Sequence, residues 1–373
     1  MEYRKSKVLF LLHLPPPVHG AAMVGKFIKE SDQINQQFKT RYINLGTSRE
    51  VDDIGRGGLA KWGRYASILW NTFYALLTFR PNLVYITLTA NGTGFYKDAV
   101  IALLAKVFGK KVIYHFHNKG VNKRQDKTFD NWLYQRVFDG AEVILLSPHL
   151  YYDIEKYIPE EKVHYCPNGI PEMEIDSKKA LKNEKSTVHL LFLSNLIKSK
   201  GVFILLKACK ILKERGLNFH CTFVGGEGDV TVQEFEHRVD EWSLQKVATY
   251  AGKKYGEEKE RILESSDIFV FPTFYPKECF PLVLLEAMQA SLPLVSTKEG
   301  GIPEIIEDGK NGYIVPPKDQ KILADKLETL IEDKKLRKRM GANGRILYKK
   351  RFTVEMFEKR LAEILTNASK SSA

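Results

Sequence analysis

DIFVFPTFYPKECFPLVLLEAMQA, residues 267–290, sets the reading of this chain. Its first part, Asp267 to Thr273, carries an apolar run that ends in proline, which reads as a buried strand passing into a loop. Pro281 then opens a helix on which Leu282, Leu285 and Met288 are spaced for packing. Glu278 therefore falls in the loop facing the helix N-terminus, with Glu286 about two turns along the helix. Such a junction turns free backbone N–H groups toward its ligand and favours an anion there. Carboxylates beside that anion can hold hydroxyls. The combination suggests a sugar attached to a nucleotide diphosphate; the plainer alternative is a helix bearing ordinary exposed acids.

At 373 residues the chain exceeds one typical core, so two domains are expected. Hydrophobic residues at 44% and charged residues at 27% describe a soluble globular protein. The net charge of +12 is uneven: residues 1–170 hold 23 Lys and Arg against 15 Asp and Glu. A basic first half implies an anionic partner, whether nucleotide phosphates, a phospholipid surface or nucleic acid. No RNA- or DNA-binding motif is present, so nucleic acid is set aside. Cys166, Cys209, Cys221 and Cys279 form no CxxC pair, which fits a reducing cytoplasm. Cys279 adjoins Glu278, which makes a nucleophile conceivable, but it reads as a neutral loop residue. The run Val8 to Leu14 imitates a signal peptide, yet it is short, meets three prolines and lacks a small-residue cleavage site; it reads as a first strand.

Strand-like and helix-like runs alternate along the first half. Strands are expected at 8–12, 83–88, 111–117, 142–146 and 163–165, and helices at 21–30, 97–108 and 129–138. After a polar, Lys-rich connector over 172–187 a second alternating series begins. It places strands at 189–194, 219–224, 247–251, 268–272 and 294–296, with Gly312-Tyr-Ile-Val after them and helices between. This is α/β: two doubly wound parallel units, expected at 1–170 and 171–351, with a final helix over 352–373 crossing back to the first. Ligands are expected in a cleft between two such domains, at the carboxyl ends of the strands.

Several short motifs now add up. They are Pro17-Val-His-Gly20, His115-Phe-His117-Asn118, Pro167-Asn-Gly-Ile170, Leu196-x3-Lys200-Gly201 and Val224-Gly-Gly226, followed by the Glu278/Glu286 pair, Gly300-Gly-Ile-Pro-Glu304 and Asn311-Gly312. Their order and spacing resemble glycosyltransferase family 4, the retaining sugar-nucleotide transferases of the GT-B fold, in which two Rossmann-like domains face across a cleft. The resemblance is strong over 190–317 and weaker over 1–170. It implies that Glu278 binds the donor sugar hydroxyls and Glu286 the ribose. It also implies that the N–H groups of Leu282 and Val283 cradle the diphosphate beside Phe280, and that Lys200 neutralises the charge developing on it. Gly20 would admit backbone to the phosphates, and Gly252 to Tyr255 would lie near the base. His117 matches the histidine facing the reacting sugar. His115 reads as a satisfied structural histidine; a metal pair of the two lacks a third ligand.

Three departures stand out. Asn195 occupies a donor-site position that is usually Arg, so one of two cations expected at the diphosphate is missing; either Lys198 or a first-domain residue substitutes, or phosphate affinity is lower. Pro281 stands where Gly is usual and donates no N–H. The first loop has one glycine where two are common. No Asp-x-Asp occurs, so no metal or other cofactor is expected, and the co-substrate is a UDP- or GDP-sugar. The expected activity is hexosyl transfer to a glycan or lipid-linked acceptor in cell-surface polysaccharide synthesis. A same-face substitution fits better than a double displacement, because no second carboxylate is evident. Rival readings are a sugar-nucleotide 2-epimerase of the same fold and an inactive partner subunit. Residues 56–80 combine Arg56, Lys61, Arg64 and Arg80 with an uncharged aromatic run over 65–79, too short to span a bilayer. Two readings stand: an amphipathic helix on an anionic membrane, which would make the protein peripheral on the inner face of the cytoplasmic membrane, or a core helix of the first domain.

Overall fold

The computed structural model describes residues 5–16, 20–46, 59–173 and 187–370. Pro17 to His19 of the first loop, Arg56 and most of the Lys-rich connector lie outside these residues. The chain divides into two units, residues 1–169 with 354–373, and residues 170–353.

The first unit is built on six parallel strands: β1 (Lys7–Leu12), β2 (Lys39–Asn44), β3 (Leu83–Thr87), β4 (Lys111–His115), β5 (Glu142–Leu145) and β6 (Val163–Tyr165). They run in the order β2-β1-β3-β4-β5-β6. Strands β1 and β3 are almost wholly buried, which is why they read as continuous apolar runs. Helices α1 (Gly20–Glu30), α2 (Asp32–Gln37), α3 (Leu59–Thr78), α4 (Gly92–Val107) and α5 (Thr128–Phe138) connect them. In α3, Tyr65, Ile68, Thr72, Ala75 and Leu76 recur at helical spacing and are buried, while Trp62, Trp70, Tyr74 and Leu77 stay exposed. One face of this helix is core of the first unit, and the other is an exposed aromatic surface.

The second unit repeats the architecture with β7 (Val188–Leu193), β8 (Phe219–Val224), β9 (Ala248–Tyr250), β10 (Ile268–Phe271), β11 (Leu294–Thr297) and β12 (Gly312–Val315), all parallel in the order β12-β11-β10-β7-β8-β9. Counted from its own first strand, this is the 3-2-1-4-5-6 order of dinucleotide-binding sheets. Helices α6 (Val202–Glu214), α7 (Val232–Glu241), α8 (Gly256–Ser265), α9 (Leu282–Gln289), α10 (Ile302–Ile305), α11 (Gln320–Glu332) and α12 (Lys334–Arg351) complete it. The strand order reverses between β7 and β10, the kind of switch point at which doubly wound sheets bind ligands. The last helix, α13 (Val354–Lys370), belongs to the first unit, where Phe357, Leu361 and Leu365 join the core formed by Val8, Phe10 and Leu12.

The structure adds α2 and β2 to the elements expected. It also starts α4 at Gly92 rather than 97, and ends β4 at His115, leaving His117 beyond the strand.

Candidate active site

At the β7/β10 reversal the two loops are fastened together. The Phe274 N–H donates to Ser199 O at 2.7 Å, and Thr273 Oγ1 to the same carbonyl at 3.4 Å. Gly201 makes this closeness feasible. It is left-handed at φ 94°, and a Cβ on it would lie 2.3 Å from Pro272 O. Gly300 (φ 56°) does the same on the far side of the β10 loop, where a Cβ would lie 2.4 Å from Glu278 O.

Held between these contacts, Lys200 Nζ forms a short ion pair with Glu278 Oε2. The ammonium also lies 4.5 Å from the ring centre of Tyr275 and 5.3 Å from that of Phe271. An aromatic face attracts a cation, so the two rings fix the ammonium from a second side. Burial, and then the Glu278 charge, push the Tyr275 hydroxyl above its ordinary pKa and keep it neutral.

Glu278 leads into α9, whose cap position is Pro281, with no capping side chain. Leu282 and Val283 form its first turn at half-exposed positions, so their N–H groups mark the electropositive end of the helix. Leu284, Leu285 and Met288 make the buried face, whereas Leu282 does not join it. Glu286, farther along α9, accepts from Lys259 Nζ of α8 at 2.9 Å through Oε1. Its Oε2 is buried and has no hydrogen-bond partner among the described residues. A carboxylate oxygen withdrawn from water without a donor is costly, and a ligand hydroxyl would relieve it.

The remaining expected residues fall in several places. Asn195 follows β7 and accepts from the Gly226 N–H at 3.0 Å, so its amide ties two loops together. Phe280 is buried against Phe352, with ring centres 5.8 Å apart, and its side chain contributes packing. Gly252 (φ 72°) follows β9, and its carbonyl accepts from the Gly225 N–H at 3.0 Å. Tyr255, three residues on, is 70% exposed. Asn311 is structural: its amide bridges the Glu307 N–H and the Ile305 carbonyl. Among the described residues no group of His, Cys, Asp and Glu is arranged to hold a metal ion.

Gly20 and His117 belong to the first unit. Gly20 opens α1, and a Cβ there would meet nothing within 4 Å, so no internal packing demands a glycine. His115 and His117 lie with ring centres 4.2 Å apart. His115 Nδ1 meets the Tyr85 hydroxyl at 2.5 Å; burial, and then His117, hold its pKa well below the usual imidazole value.

The motifs did not disclose Lys259, Tyr275 or Phe271 as neighbours of the acids and of Lys200. Tyr275 lies three residues before Glu278 and could have been suspected from that spacing. Lys259 reaches Glu286 from another helix, and no local pattern announces it.

Residues 172–347 match the family model described as glycosyl transferases group 1. The match covers most of the second unit, and the two parallel-sheet Rossmann-like units are similar in fold to those of solved GT-B glycosyltransferases. Among relatives, the amylovoran biosynthesis glycosyltransferase AmsK of Erwinia amylovora is 31% identical over 225 residues, 59% of this chain and 54% of that protein. The putative colanic acid biosynthesis glycosyltransferase WcaL of Escherichia coli is 27% identical over 227 residues, 58% of this chain and 54% of that one. The chain thus spans about half the length of these curated relatives. In fold, the chain is similar to Anabaena Alr3699/HepE, crystallised with UDP and glucose, with TM-score 0.72 and 18% identity over 97% of this chain and 99% of that one.

Proposed function

We propose that this protein is a retaining glycosyltransferase of family 4. It moves a hexose from a UDP- or GDP-linked donor to a glycan or lipid-linked acceptor in cell-surface polysaccharide synthesis. The observation that carries this reading is the Lys200–Glu278 pair at the β7/β10 reversal, with the unpartnered Glu286 oxygen on the adjoining helix. The polysaccharides in the names of AmsK and WcaL, and the UDP bound to HepE, support the same reading.

In this mechanism Glu286 takes the ribose hydroxyls and Glu278 those of the donor sugar. The base lies by Gly252 to Tyr255. The N–H groups of Leu282 and Val283 meet the diphosphate, with Lys200 beside them. The acceptor oxygen bonds to the anomeric carbon on the face from which the diphosphate departs, and the anomeric carbon–phosphate oxygen bond breaks. The acceptor proton passes to the leaving phosphate oxygen. The protein supplies orientation and fixed charge where charge develops, and no cofactor takes part. On the first unit, His117 is the residue assigned to the acceptor or reacting sugar. The exposed Trp62, Trp70, Tyr74 and Leu77 of α3 support a peripheral position on the anionic cytoplasmic face of the membrane, where a lipid-linked acceptor would reside.

A thermal-shift panel of UDP-, GDP- and ADP-sugars tests the reading. One nucleotide class should raise the melting temperature by several degrees at about a hundred times its Kd, a gain of about 2.7 kcal/mol. No shift with any of them would overturn it.

A further inference from the structure

The cations beside the two acids are already balanced. Lys200 is paired with Glu278, and Lys259 with Glu286, so neither pair adds net positive charge. The opening of α9 supplies only about half a charge. A nucleoside diphosphate is multiply anionic and calls for a further cation. Lys198 is turned to Glu234 at 3.4 Å and Lys254 to Glu258 at 3.2 Å.

Lys253 has the required properties. It follows β9, is exposed, and makes no ion pair among the described residues. Its side chain runs across Gly226: a Cβ on that glycine would fall 2.4 Å from Lys253 Cε and 3.2 Å from Asn195 Oδ1. The missing side chain at 226 opens a lane that brings the end of Lys253 to the Asn195–Gly226 hydrogen bond, at the carboxyl ends of β7 and β8. The Gly252 carbonyl, bonded to the Gly225 N–H, holds the loop in register for this.

We propose that Lys253 is a phosphate-binding cation of the nucleotide site, supplying at the ends of β7 and β8 the charge that Asn195 lacks. The proposal rests on the nucleotide-sugar reading above.

Calorimetric titration of the full chain with UDP, or with GDP if UDP does not bind, at 50 and 500 mM NaCl tests it. Lys253→Ala should weaken binding about 10–100-fold at low salt, the range for a hydrogen bond to a charged group. Its affinity should also depend less on salt than that of the wild type. Lys253→Arg should stay within about threefold of wild type. Lys246→Ala removes a charge before β9, at the opposite end of the strand, and should stay within about twofold. Wild-type affinity in Lys253→Ala, an equal loss at both salt concentrations, or an equal loss in Lys246→Ala would each overturn the assignment. Binding of neither nucleotide by the wild type would remove the nucleotide-sugar reading itself, and this proposal with it.

Discussion

The side chains of Glu278 and Lys200 are 9% and 16% exposed, so each satisfies the other where water is scarce. Removing one partner strands the other. Glu278→Ala should therefore lose both activity and about 1–3 kcal/mol of stability, below the cost for a fully buried pair because some solvent reaches this one. Glu278→Gln keeps the shape and an acceptor oxygen. It should fold with a melting temperature near wild type and still lose turnover of the donor by more than about a hundredfold. Wild-type turnover in the glutamine variant would refute the role of the carboxylate. At this scale the sequence singled out the acids and Lys200, because they sit in short local motifs that follow β7 and β10. It did not single out Lys259, which reaches Glu286 from another helix, and it placed Lys253 only within the 252–255 stretch expected near the base. Phe280 illustrates the opposite error: it adjoins the site in sequence, but its ring points into the packing against Phe352.

Elements are positioned by a few close contacts. Gly201→Ala would force a side chain into the left-handed region and against Pro272 O, and no flexible neighbour can yield there. We expect a loss of about 2–4 kcal/mol and, in a unit of this size, a melting temperature lower by about 5–15 °C. A shift under about 2 °C would show that the loop relaxes freely. In the first sheet, Glu142 clamps three strands. It accepts from His164 Nε2 at 2.7 Å and pairs with Lys111 at 2.6 Å. The His164 hydrogen bond, followed by Lys111, holds its carboxyl at about 2, against the opposing effect of burial. The folded pKa lies below the unfolded value of about 4.5, so the stabilisation is complete above pH 4.5 and fades as pH falls toward 2. Denaturant titrations of Glu142→Gln should show a shallower acid limb in that window, by about 1–2 kcal/mol. An unchanged limb would deny the clamp. Buried parallel strands such as β3 and β10 were legible because both faces demand apolar residues. The edge strand β2, KTRYIN, was not, since it buries only Ile43 fully. Gly92, Thr93 and Gly94 look like a turn, yet α4 begins there, led by Asn91 and anchored by buried Phe95.

The whole chain is basic, and its excess is concentrated in the half that carries α3. No helix among the described residues is long and apolar enough to cross a membrane. The proposed surface docking would have to come from an exposed face, and Trp62 and Trp70 are about two-thirds exposed. Co-sedimentation with vesicles containing anionic lipid should capture the wild-type protein at low salt. Trp62→Ser/Trp70→Ser should reduce capture severalfold without moving the melting temperature, because neither side chain is core. Equal capture by neutral vesicles, or by the double variant, would discard this surface. Alternation of strands and helices made the doubly wound α/β fold readable from the sequence. The reversal of strand order between β7 and β10, which explains why Lys200 and Glu278 meet, emerged only from the pairing of the strands. The most direct measurement is a crystal structure of the protein with its nucleotide sugar. The account predicts a ribose hydroxyl within hydrogen-bond distance of Glu286 Oε2, the sugar hydroxyls on Glu278 and the diphosphate at the start of α9. A ribose far from Glu286, or a ligand seated away from the β7/β10 reversal, would contradict it.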